Sequence, residues 1–387
     1  MSVLWVMPNW NVPSELWMQR MLRMVSGDLA GICANQPLAG VWDDGAPAFA
    51  LDRRYRSVFE RALRLATFQR LTPGVVLNEA ITTTRPRKVL VHYLDFACRF
   101  EKILQGCGAD VLVHCHGYDV SWDIRREDDA ERPYFNGGYL PAVRRLATFA
   151  TFIANSQHTR RQLIDVGVPV ERIVVKHPGV PVPSTPPRRS SRGRLRVLFL
   201  GRLIDVKGPD LVIRAFDLAC SRGLDAELVF AGDGSLRESC EAMARSSPFG
   251  DRIQFLGFVD EATGRRLREE SDIFTAHNQT GPRSRQVEAL GVSVLEAMAE
   301  GLPVVSGRSG GLVETVVHGE TGFLVNPGDV EAHARALLDL SKDETLRTSM
   351  GMAGWRRARD LFSLEGERDS LRAILGLTGR QGALSLQ

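Results

Sequence analysis

Two glutamates eight residues apart, Glu288 and Glu296, bracket the run EALGVSVLEAMAEGLPVV, and only small and apolar residues separate them. On one continuous helix, eight steps of about 100° leave two side chains roughly 80° apart, a pair of loosely related surface charges. Gly291 stands directly before VSVLEAMA, where helical periodicity begins, so the spacing predicts a helix starting near 291–293 with Glu288 in the preceding loop. The N–H groups of Leu290, Gly291 and Val292 would then point into a cleft and form an anion site strengthened by the helix dipole. A phosphate held there sets Glu288 and Glu296 on different parts of one elongated ligand. A capping carboxylate and a solvated helix charge would explain the same residues, but an apolar-flanked carboxylate such as Glu296 is seldom buried without a partner.

Cations stand upstream. In GRLIDVKGPDLVIRAF, Gly201 ends an apolar run, Arg202 and Lys207 flank a short loop, and Gly208-Pro209 begins a helix. Arginine offers bidentate contacts and lysine a point charge, so the pair makes a diphosphate clamp, although by itself the pattern fits a polar loop with solvated cations better. In AGDGS, Gly232 and Gly234 permit a tight turn and close ligand approach, and a plain turn explains them equally well. His116 follows the apolar run DVLVHC, where a satisfied strand-end histidine is the plainer reading. Neighbouring His114 and Cys115 raise metal ligation, but no fourth partner has suitable spacing.

The elements that must position these residues alternate. After the Pro-, Ser- and Arg-rich stretch PGVPVPSTPPRRSSRGR, apolar strands (LRVLFLGR, AELVFAG, RIQFLG, IFTAHN, PVVSG) interleave with amphipathic helices. The first half has the same rhythm in VLWVM, GICANQ, KVLVHY, DVLVHC, TFIANS and RIVVKH. This predicts an α/β protein of two Rossmann-like, doubly wound parallel-sheet domains facing a cleft: 1–182, a linker 183–194, 195–362, and a C-terminal helix within 363–387 crossing back to the first domain. In such folds the ligand lies outside the carboxyl ends of the strands.

Composition is consistent with this. The chain has 387 residues, 44% hydrophobic and 25% charged, as a globular two-domain protein should. MSVLWVMPNW lacks the regions of a signal peptide, and no run approaches bilayer-spanning length. Six scattered cysteines without a CxxC pair speak against disulfides and structural zinc and for a reducing cytoplasm. The net charge of +3 divides into a basic first half and an acidic second half, a weak sign that they meet different partners; nucleic acid is not among those expected.

Together the motifs GRLIDVKG, AGDGSL, FLGFV, the Glu288–Glu296 pair with EAMAEGLPVV, SGGLVE and HGETGFLV resemble, in order and over roughly residues 195–345, the donor-binding domain of GT-B glycosyltransferases of family GT4. PSELWMQRML and HGYD resemble a branch that builds exopolysaccharides. The resemblance implies a metal-independent, retaining transferase without cofactor, using a nucleotide-diphosphate sugar and a saccharide or lipid-linked acceptor. It implies that Arg202 and Lys207 hold the diphosphate, with Gly201 and Gly232 beside it. Glu288 would meet sugar hydroxyls, Glu296 the ribose, amides at 290–292 the distal phosphate, and backbone at Gly257 and Phe258 the base. His116 would face the transferred sugar and the acceptor, with Asp119 supporting its loop. No two aspartates are separated by one residue, so the DxD metal site of the other major glycosyltransferase fold is absent. Two features depart from the family: Ala289 where glycine is usual, and PNWNVPSE where many relatives carry a glycine-rich loop. A GT-B epimerase, or a degenerate scaffold that only binds nucleotide, would share this architecture.

In residues 53–70, RRYRSVFERALRLATFQR, six arginines face one glutamate and an apolar stripe runs at helical spacing. Such a helix suits an anionic bilayer carrying a lipid-linked acceptor; packing on its own sheet explains it as well.

Overall fold

The computed structural model describes residues 2–10, 16–35, 45–52, 72–121, 138–187 and 193–377. The arginine-rich segment 53–70 and most of the PNWNVPSE loop lie outside them.

Runs rich in Val, Leu and Ile form strands buried on both faces, the mark of parallel sheets covered by helices. In the first domain these are β1 (Val3–Asn9), β2 (Leu29–Asn35), β3 (Ala48–Ala50), β4 (Lys88–His92), β5 (Asp110–Cys115), β6 (Thr151–Ala154) and β7 (Ile173–Val175). They pair in parallel in the order β3-β2-β1-β4-β5-β6-β7. The second sheet holds β8 (Leu195–Leu200), β9 (Ala226–Ala231), β10 (Ile253–Phe255), β11 (Ile273–Thr275), β12 (Val304–Gly307) and β13 (Gly322–Val325). Its order is β10-β9-β8-β11-β12-β13, again parallel. The doubly wound architecture is as expected, and the strands at β1–β2, β4–β12 stand where the apolar runs do. The sequence reading missed β3 (AFA) and β13 (GFLV), short strands at sheet edges.

Each sheet reverses direction of winding once, at β1/β4 and at β8/β11, and the loops after these strands open the crevice where ligands bind in such folds. Two separate cores support the sheets, one around Trp5, Leu90 and Phe152, the other around Phe199, Phe230 and Leu295. The last helix, Leu364–Ile374, buries Leu371 in the first core, and Leu375 just beyond it joins them. Glu367 of that helix pairs with buried Lys176 at the end of β7 and accepts from Gly179 N–H at 2.9 Å. The connecting segment is tied in at both ends: Val180 packs in the second core and bridges to Ser363, and Trp355 Nε1–H donates to Pro183 O at 3.0 Å.

The domains also meet directly. The Glu314 carboxylate accepts from Gln157 N–H and His158 N–H at 2.7 Å each, the exposed donors at the start of helix Gln157–Asp165. Ala289 of the second domain sits against Gly117 of the first so closely that a methyl group on Gly117 would stand 2.6 Å from Ala289 Cβ.

Candidate active site between the domains

A cavity of ≈ 580 Å³ lies between the domains. From the second domain Gly201, Arg202, Lys207, Gly232, Phe258, Glu288, Val292 and Glu296 line it, and from the first domain His116 does. Gly257, Leu290, Gly291 and Asp119 do not line it.

The corner at 288–292 explains the eight-residue gap. Gly291 takes a left-handed φ of +85° and caps helix Val292–Ala299, so Glu288 lies in the loop and Glu296 on the helix. Ala289 is absent from the residues with positive φ, so the missing glycine costs no backbone strain there. Lys207 Nζ sits 2.5 Å from Glu288 Oε2, which also accepts from Asn278 Nδ2–H at 3.0 Å. Glu296 is met by Arg268 at 3.1 Å and, across the cleft, by Arg20 at 3.8 Å; Arg20 also reaches Glu261 at 3.1 Å. Thus each acid of the opening motif is paired with a cation. Arg202 is exposed, and among the described residues its side chain has no ion pair.

The loop after β8 carries both cations and packs against the loop after β9. Gly201 N–H donates to Ala231 O and Leu203 N–H to Asp233 O, at 3.0 and 2.9 Å. A Cβ on Gly232 would stand 2.0 Å from Gly201 O. Glycine here serves the approach of one loop to another, a role that the plain-turn reading of AGDGS did not include. The Gly257 carbonyl accepts from Gly232 N–H at 2.7 Å, and Phe258 beside it is 63% exposed, an apolar ring left on the cavity rim.

Asp119 lies behind the first-domain wall. Its carboxylate accepts from His116, Gly117 and Leu94 N–H groups, binding the loop after β5 to the segment after β4. Burial, with Asp95 adding to it, pushes its carboxyl up to about 7 against the pull of these donors. His116 packs among Trp17, Tyr93, His92 and His114, with ring centroids 4.6, 4.7, 5.2 and 4.2 Å away. Burial, with His92 and Lys176 adding to it, holds the His116 imidazole well below its usual range, so it is neutral at pH 7. His116 Nε2 is 3.0 Å from His92 Nδ1, leaving Nδ1 of His116 as the ring nitrogen free to meet a ligand.

Reasoning from sequence missed His92, Tyr93, Trp17, Arg20 and Arg268. His92 and His114 are opposite each other in the β4–β5 register, a pairing that 21 intervening residues conceal. Tyr93 holds φ +71°, a strained backbone of the kind that clusters at functional sites. Arg20 lay in plain view in PSELWMQRML, but nothing local announces a partner in the other domain.

Residues 186–357 match the family model described as glycosyl transferases group 1. The chain is 31% identical over 267 residues to a GDP-mannose-dependent alpha-(1-6)-phosphatidylinositol monomannoside mannosyltransferase of Mycolicibacterium smegmatis, covering 65% of each. It is 30% identical over 246 residues to the amylovoran biosynthesis glycosyltransferase AmsK of Erwinia amylovora, covering 63% of this chain and 57% of that one. The match thus spans slightly less than two thirds of either relative. Among solved structures, Anabaena HepE in complex with UDP superposes with a TM-score of 0.76 at 18% identity, covering 97% of this chain and 100% of that chain. Sucrose-phosphate synthase from Thermosynechococcus elongatus gives 0.74 at 17% identity, over 97% and 98%. At these identities the superpositions speak for the fold.

Proposed function

Through residues 186–357 this chain belongs to the glycosyl transferases group 1 family, on a GT-B fold, and from that footing we propose that it is a retaining glycosyltransferase of glycan biosynthesis. It would move a sugar from a nucleotide-diphosphate sugar to a saccharide or lipid-linked acceptor. The observation that carries this reading is the convergence of Arg202, Lys207, Glu288 and Glu296 with His116 of the opposite domain on one cavity.

Breaking the sugar C1–oxygen bond sends its electron pair to the diphosphate. Arg202 and Lys207, carried by the loop where that charge develops, lower the barrier. Positive charge grows on the sugar, so the neutral state of His116 matters: it meets a sugar hydroxyl without repelling the developing cation. The acceptor oxygen forms its bond on the face the diphosphate leaves, and its proton passes to the departing phosphate oxygen. Glu288 orients the sugar, Glu296 takes the ribose hydroxyls in exchange for Arg20 and Arg268, and Phe258 offers its exposed ring to the base. Protein cations serve the leaving group, and no metal is assigned a part in the transfer.

The mannosyltransferase relative is named for GDP-mannose, and HepE is solved with UDP-glucose. Thermal-shift measurements with GDP-mannose and UDP-glucose would identify the donor, since a ligand at 100 times its Kd adds about 2.7 kcal/mol to the folded state. Shifts with neither, nor with ADP sugars, would sink the reading. Isomerised sugar formed without acceptor would identify an epimerase instead, and binding without turnover a scaffold. No helix among the described residues is long and apolar enough to cross a membrane. Attachment of the lipid-linked acceptor's membrane through segment 53–70 would appear as preference for anionic over neutral liposomes at low salt, and equal binding would refute it.

A further inference from the structure

The floor of the cavity holds a cluster that the transfer reaction does not use in full. His92 ends β4, His114 lies opposite it on β5, and His116 follows β5 by one residue. We propose that His92, His114 and His116 together form a binding site for a divalent transition-metal ion of the zinc class, with its open coordination position toward the cavity.

Three observations carry this. Ring nitrogens of the three residues all lie within 4.8 Å of one another. Two of them, His92 Nδ1 and His116 Nε2, are 3.0 Å apart, close to the spacing of about 3.3 Å that two ligands about 2.05 Å from a tetrahedral ion would adopt. His114 is 2% exposed, yet neither of its ring nitrogens has a hydrogen-bond partner among the described residues. Buried polar atoms are almost always satisfied, and leaving one unsatisfied is costly, so these orphaned nitrogens point to a missing partner.

The donor set selects the ion. All-imidazole sites suit zinc, copper, nickel or cobalt, whereas magnesium and calcium need oxygen ligands that this cluster lacks. Cys115 stands on the opposite face of β5 and is no ligand: side chains alternate along a strand. An entry path exists, because His114 and His116 both line the cavity. Among the described residues Lys176 is a cation close to the three histidines, and its pair with Glu367 offsets part of its charge against an ion.

Filling the site has a consequence that rests on the proposed transferase reading. An ion on Nε2 of His116 leaves Nδ1 toward the sugar but sets positive charge beside the cation that develops there, so the ion inhibits transfer and a chelator restores it.

The test is titration of chelator-treated full-length protein with Co²⁺, read by the visible bands of four-coordinate cobalt, with Zn²⁺ as competitor. One equivalent should bind, and His114→Gln should weaken binding at least about tenfold. His92→Gln provides a second removal, and melting curves with and without nucleotide check that each variant folds. If both destabilise, His116→Gln at the cavity wall reports on the same site. Absence of cobalt bands in the unsubstituted protein, or bands unchanged in folded variants, overturns the site. Tight binding without loss of transfer overturns the inhibitory part and leaves the metal site standing; loss of all activity before metal is added speaks to the transferase reading alone.

Discussion

Lys207→Ala probes the diphosphate clamp directly. Lys207 has a side chain only 14% exposed, and its ammonium is in contact with Glu288, so it is a fixed and partly dehydrated charge at the loop after β8. Unit charges about 4 Å apart interact by about 4 kcal/mol at an effective dielectric constant of about 20. Dehydration of the phosphate and the loss of the Glu288 contact take back part of this, leaving about 3 kcal/mol, or about a hundredfold in kcat/KM. The fall should be concentrated in kcat, because charge on the leaving group grows toward the transition state. Lys207→Arg should recover part of the rate. Glu288→Gln combined with Lys207→Ala should cost less than the two separate losses together, since the residues touch. Steady-state kinetics with a saturating acceptor, after melting curves show the variants folded, measures all of this. Retention of more than about a third of wild-type kcat/KM by folded Lys207→Ala would refute the assignment.

Other expectations follow from the same structure. Gly117→Ala places a methyl 2.6 Å from Ala289 Cβ on a backbone at φ +127°, and should lower stability by about 1–3 kcal/mol while holding the domains apart in solution scattering. Adding Ala289→Gly should relieve the clash but leave the backbone strain, and no relief would show that the contact is unimportant. Lys176→Met strands Glu367 in the interior and should cost about 3–5 kcal/mol in urea unfolding, most of it recovered by adding Glu367→Leu. Burial lowers His277 to about 4 from 6.5, so between these values the unfolded chain takes up a proton that the folded chain refuses. The part of the stability that His277 contributes, fully present above pH 6.5, should therefore drain by about 3 kcal/mol as pH falls toward 4, with His333 acting in the same direction and Asp119, raised to about 7, in the opposite one. A folded His277→Gln variant whose urea midpoint changes between pH 7.5 and 4.5 as much as the unsubstituted protein's would contradict this.

What the sequence determined by itself is local. Val- and Leu-rich runs alternating with amphipathic helices announce parallel sheets, because a strand covered on both faces must be apolar throughout. Gly291 before VSVLEAMA marks the corner that parts Glu288 from Glu296, and its left-handed φ of +85° is one that glycine adopts without strain. By spacing alone Arg202 and Lys207 fit a polar loop with solvated cations better, and it is the family resemblance that gives them and Glu288 a role. The edge strands β3 and β13, three and four residues long, escaped the sequence reading.

Tertiary structure decided the partners. Arg20 reaches Glu296 across 275 intervening residues, Lys176 finds Glu367 on a helix returning from the other domain, and Glu314 caps a helix of the first domain. His92 joins His114 and His116 only because the sheet order sets β4 against β5 in register. Periodicity records which face of an element is buried. Which element covers that face depends on strand order and on how two domains close, and no run of neighbouring residues encodes either.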